Sequence, residues 1–143
     1  METLPRSLQY GEEISFATQD RIFAAGDPVG EKPIFYVIAG LVKVEYMLSK
    51  SKFPLWVNPD SIFGLVEPLA ECNRLSVARA MERTLMYRWD LDGFFSAAGV
   101  SWELGLATIT GLTRELRILN AEFGERVAAL PRDERHLERP HGR

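Results

Sequence analysis

The 143-residue chain has one cysteine and two histidines, and those shortages remove several kinds of chemistry at once. A single thiol, Cys72, excludes an internal disulfide and fits a reducing compartment. With no His or Lys next to it, it reads as a buried, inert side chain rather than a nucleophile. His136 and His141 both fall near the C-terminal end, so a metal-binding barrel of the cupin kind has no ligands on its strands and a hydrolytic triad has no base. No catalytic constellation remains, and the expectation is a non-enzyme without metal or resident cofactor. The longest apolar run, Ile34 to Val42, is too short to cross a bilayer, and the N-terminus lacks a basic-then-apolar signal pattern. Net charge is -3, with no basic run before the tail, so the chain has no electrostatic footprint for nucleic acid. A cytoplasmic protein with no membrane contact is expected.

What is present is ample apolar material, 46% of residues, for one domain. Residues 1–13 are polar and read as a loosely held arm. Ile14 to Thr18 and Asp20 to Ala25 read as short strands, the second turned by Gly26-Asp27-Pro28. Phe35 to Ala39 is continuously apolar, as in a strand buried on both faces. After Gly40, Val42, Val44, Tyr46 and Leu48 alternate with polar neighbours. Ser49 to Phe53 then turns the chain into a partner strand, Pro54 to Val57. Ile62-Phe63, the Ser76 region and Thr84 to Trp89 complete the set. Short strands at regular spacing indicate a mainly β fold, a jelly-roll-like (double-stranded β-helix) barrel over about residues 14–90. Helices follow over about 91–130. A short one is capped by Asp90, contains Phe94 and Phe95 and stops at Gly99; a long one is capped by Ser101 and runs to about Ala129.

The most informative stretch is Asn58 to Ala80. Gly64 permits a tight turn, Val66 to Cys72 can form one or two helical turns, and the free backbone N–H groups at such a start suit an anion. Arg74 could clamp the same anion in bidentate fashion, although an arginine in this setting also serves commonly as a solvated surface residue. Ser76, Ala78 and Ala80 share one strand face and leave room beside it.

Taken in order, Gly26-Asp27, Phe35 to Val44, Pro59-Asp60-Ser61-Ile62-Phe63-Gly64, and Arg74 followed by small residues resemble the cyclic nucleotide-binding domain family, in its CRP/FNR-like form without a helix-turn-helix. The resemblance covers about residues 14–123. It implies a phosphate-binding cassette with candidate ligand-binding positions Gly64, Leu65, Val66, Glu67, Arg74, Leu75 and Ser76. Arg117 and Asn120 of the long helix lie where family members reach the purine base. Two positions depart from the pattern. Leu65 replaces the Glu that accepts a ribose hydrogen bond, a loss of about 1.5–3 kcal/mol, and bulky Leu75 replaces a small residue. Glu67 is the nearest carboxylate.

Along the long helix, Trp102, Gly105, Ile109, Leu112, Leu116, Leu119 and Phe123 follow three-four spacing, with Leu104, Leu106 and Ile118 on a separate side for the barrel. Ile109, Leu112, Leu116, Leu119 and Phe123 are therefore the expected seam of a parallel homodimer, which resembles the central dimerisation helix of family regulators. The tail, 131–143, is polar and expected to be disordered. No helix-turn-helix fits after Phe123, so direct DNA binding is not expected. Two functions stay open. One is a sensor module binding a cyclic nucleotide or another anionic effector and signalling through the long helix. The other is a degenerate, non-binding module for dimerisation or for docking a protein partner.

Overall fold

The computed structural model describes residues 10–46 and 54–129, the side chains of 122–129 excepted. Most of the N-terminal arm, Leu48, the 49–53 turn, the side chain of Phe123 and the 131–143 tail lie outside the described residues. Two four-stranded antiparallel sheets make the roll. One has the order β1 (Glu12–Phe16), β8 (Thr84–Trp89), β3 (Ile34–Ala39), β6 (Ile62–Phe63), and the other the order β2 (Arg21–Phe23), β7 (Ser76–Ala80), β4 (Val42–Tyr46), β5 (Leu55–Val57). Helix α1 (Val66–Ala70) interrupts the strands, and α2 (Leu91–Val100) and α3 (Trp102–Ala129) follow them.

Alternation explains the layers. In β4, Val42, Val44 and Tyr46 are buried while Lys43 and Glu45 between them are half-buried. In β7, Ser76, Ala78 and Ala80 turn inward together, as their spacing predicts. β3 packs on both faces, with Tyr36 and Ile38 half-buried and only its last residue, Ala39, exposed, for a visible reason. Phe35 and Val37 enter a core between the sheets with Phe23, Val44, Phe63 and Met86. Ile34, with Tyr36 and Ile38 beside it, enters a second core with Trp89, Phe94 and Leu104 under the helices. At about 1.5–3 kcal/mol per fully buried large apolar side chain, these clusters hold the roll together.

Strand bounds differ from expectation by at most two residues, and β6 and β8 by none. The largest shifts are at the first strand, which starts at Glu12 because Glu12 and Glu13 pair with Arg88 and Tyr87 across β8. Gly40 has φ +109°, and a Cβ there would lie 2.6 Å from the Arg83 carbonyl oxygen, so this glycine lets the chain pass from one sheet to the other. Gly99 does not end α2. The helix continues to Val100 and gives way at Ser101, which is extended and caps α3 by accepting from Leu104 N at 3.1 Å. Asp90 caps α2 as expected, accepting from Gly93 N at 2.6 Å. Cys72 is half-buried rather than buried.

The side of α3 that packs on the roll is rotated relative to expectation. Leu112 and Leu119 pack partly against the chain's own two cores, while Leu106, expected against the barrel, is exposed beside Ile109 and Leu116. The face that docks on the roll runs instead through Leu104, Gly111, Glu115 and Ile118. Gly111 makes this possible, because a Cβ there would stand 2.6 Å from the Ile62 carbonyl oxygen of β6.

Candidate functional site

β6 runs directly into the turn that the sequence singles out. Gly64 has φ +83°, and a Cβ would meet the Pro33 carbonyl oxygen at 2.8 Å, so the turn requires glycine. Leu65 follows in the right-handed helical region and α1 begins at Val66. The N–H groups of Gly64, Leu65 and Val66 therefore converge, and what they converge on is the carboxylate of Glu115 from α3. Gly64 N and Leu65 N donate to Oε2 at 2.9 and 3.5 Å, and Val66 N donates to Oε1 at 3.1 Å. Glu115 is 1% exposed.

Arg74 reaches the same turn from the other side, but as an internal support. Its Nη1 donates to Glu67 Oε1 at 3.2 Å and to the Gly64 carbonyl at 3.3 Å, and its Nη2 donates to the Pro33 carbonyl at 2.6 Å. The guanidinium lies 4.0 Å over the Phe23 ring. Glu67, on α1, spends its second oxygen on Leu75 N at 3.1 Å. The backbone of Arg74 is clasped by the Gly26-Asp27 turn, Gly26 N donating to Arg74 O and Arg74 N donating to Asp27 O, each at 2.8 Å. Two short motifs separated along the sequence thus meet at one point.

Electrostatics follow from burial. Desolvation, then the nearby charge of Glu67, pushes the Glu115 carboxyl up to about 7 against the pull of its three N–H donors. Burial presses the Arg74 guanidinium below its usual range, while Glu67 chiefly, and Glu115 more weakly, favour its charge. Tyr46 of β4 is raised by burial and by the carboxylates of Glu115 and Glu67, so it stays a neutral phenol.

Hydrogen bonds bring Gly64, Leu65, Val66, Glu67, Arg74 and Leu75 together around the turn, and Ser76 is buried at the start of β7. Leu65 is a core residue with no exposed surface, and Leu75 packs partly against the inter-sheet core. Arg74 is a buried ion pair rather than a free clamp. Arg117 and Asn120 stand on the exposed side of α3, away from the turn. Glu115 was missed. Its signal was position: an acidic residue in the stripe shared by Leu104, Gly111 and Ile118. A separate cleft of about 300 Å³ between Asp60, Ser61 and the Glu103–Arg114 stretch of α3 is lined by none of the candidate ligand-binding positions.

No family model matches the sequence, and no curated protein does. Solved structures do match by shape. The catabolite activator protein of Thermus thermophilus superposes with TM-score 0.63 at 22% identity, over 82% of this chain and 55% of that one. The heme domain of CooA from Carboxydothermus hydrogenoformans gives 0.61 at 17% identity, over 80% of this chain and 82% of that one. The sensor domain of the transcriptional regulator DNR from Pseudomonas aeruginosa gives 0.52 at 19% identity, over 77% and 80%. The chain therefore has the fold of CRP/FNR-like sensor domains, and it spans about half the length of the Thermus regulator.

Proposed function

We propose that the chain is a regulatory module in which the Gly64–Val66 turn controls the position of α3, and α3 carries the output on its outer face. The observation that carries this reading is the carboxylate of α3 held by three successive N–H groups of the turn. Because that carboxylate belongs to α3, an anion that takes its place releases the turn's hold on the helix. The challenger for those donors is an anionic effector, a cyclic nucleotide or a similar phosphate ester. Cyclic AMP should bind weakly, because Leu65 cannot accept the ribose hydrogen bond. Binding would matter only insofar as the effector favours one helix arrangement over another.

A thermal-shift panel of cyclic mono- and dinucleotides tests the reading, with amide exchange along α3 as the second readout. A true effector at about 100 times its dissociation constant adds roughly 2.7 kcal/mol, and it should alter exchange in α3. A shift in melting temperature with α3 exchange unchanged counts against α3 as the output.

A second reading has its own support. Arg74 is consumed by Glu67, and Trp102, Leu106, Ile109 and Leu116 are exposed along one side of α3. In that reading the module needs no effector and α3 pairs with a second copy, or with a protein partner, through a seam turned slightly from Ile109, Leu112, Leu116, Leu119 and Phe123. Light scattering at tens of micromolar decides whether the chain is a homodimer. Neither reading calls for a metal, and no catalytic role is assigned.

A further inference from the structure

Glu115 is an expensive residue where it stands. Burying a carboxylate costs several kcal/mol unless donors replace its water, and its charged neighbours do little to help. Glu67 of α1 repels it, Arg74 ahead of β7 attracts it only weakly because it is engaged with Glu67, and Tyr46 of β4 is a neutral phenol. What compensates is the turn, whose consecutive N–H groups are the type of donor that holds a phosphate or carboxylate oxygen. The two carboxylate oxygens divide those donors between them, Oε2 taking Gly64 and Leu65 and Oε1 taking Val66.

We propose that Glu115 is a built-in substitute for an anionic effector, an autoinhibitory contact that fills the turn and closes it to anions from solution. The proposal rests on the reading that this turn is the control point of the module. A tethered carboxylate acts at an effective concentration in the millimolar range or above, so a weak free anion cannot displace it. Removing the carboxylate should then expose an anion requirement that the intact protein hides.

The test uses Glu115→Ala with sodium acetate and inorganic phosphate, each compared with chloride at matched ionic strength. The variant should melt lower than the intact protein and recover saturably, by about 5 °C at ten times the dissociation constant of the added anion. The intact protein should show no such rise. If neither acetate nor phosphate shifts the variant more than chloride does, the proposal fails. Should Glu115→Ala not fold, Glu115→Gln decides. Its NH2 group would face an N–H donor in place of one carboxylate oxygen, so amide exchange at Gly64–Val66 should quicken at least tenfold, and unchanged exchange overturns the proposal. Anion rescue without any change in α3 exchange would uphold the substitution while removing α3 as the output, so the two ideas fail separately.

Discussion

The two sides of α3 reverse the usual arrangement of an amphipathic helix. The side against the roll offers a glycine, a glutamate and a few aliphatic groups, Leu104 among them. The side facing water carries Trp102, Leu106, Ile109 and Leu116, between 46% and 73% exposed. Apolar burial is non-directional, whereas close backbone approach and charge-assisted hydrogen bonds fix one geometry. The inner side therefore sets where the helix lies, and the outer side holds apolar surface that gains by being covered.

The sharpest break on the inner side is Arg74→Ala. It leaves Glu67 buried without its partner and frees the carbonyls of Gly64 and Pro33. We expect a loss of about 3–5 kcal/mol, read as a large fall in melting temperature. An alanine variant as stable as the intact protein would mean that the arginine is spare and free to meet a ligand. Gly111→Ala comes next. The methyl group would press on the Ile62 carbonyl at 2.6 Å and lift α3, at about 1–3 kcal/mol for overpacking against at most about 1 kcal/mol gained in helix propensity. Faster exchange at Gly64–Val66 would report the lifting, and a stabilised variant with slow exchange there would show that the helix need not sit so close.

Acidity probes the same side more gently. The Glu115 carboxyl is raised in the folded state from 4.5 to about 7, so the folded protein holds an extra proton between those values. Stability from this group is then fullest below the unfolded value and is lost as pH rises through about 7, with a slope of at most roughly 1.4 kcal/mol per pH unit. Urea unfolding at several pH values should show that decline in the intact protein and a flatter profile in Glu115→Gln. An equal slope in both would assign the dependence to another group. The outer side should respond least in stability. Ile109→Asp with Leu116→Asp should change the unfolding free energy of the single chain by no more than about 0.5 kcal/mol yet convert a dimer to a monomer by light scattering. If the unaltered chain is already monomeric at tens of micromolar, the outer side is not a self-interface.

The parts legible in the sequence were those governed by local periodicity. The alternation in β4 and β7, the packing of β3 on both faces and the Asp90 and Ser101 caps all follow from side-chain spacing and backbone preference. The cassette was legible as an ordered series of turns, and Gly64 as its pivot. Its chemistry was not. Arg74 finds its acceptor in Pro33, 41 residues earlier, and no local rule predicts such a partner. A glutamate on a helix ordinarily reads as solvated, and the one sign of burial at Glu115 was its place in the stripe of Leu104, Gly111 and Ile118. The face of α3 against the roll differed from expectation for a related reason. A search for large apolar residues passes over Gly111, which contributes closeness rather than bulk, and so it places the docking face a fraction of a turn away.

That closeness also has a mechanical side. With no side chain between α3 and the Ile62 carbonyl, Gly111 is the point about which a tilt of the helix would turn. Glu115 lies about 6 Å from it along the axis and Ala129, the last helical residue described, roughly 27 Å, at 1.5 Å per residue. In a rigid helix, a retreat of about 1 Å at the carboxylate becomes roughly 4–5 Å at the far end. The arm from Gly111 to the carboxylate is short and the arm to Ala129 is long, so if the turn at Gly64 yielded slightly, the end of α3 would move by about the width of a side chain.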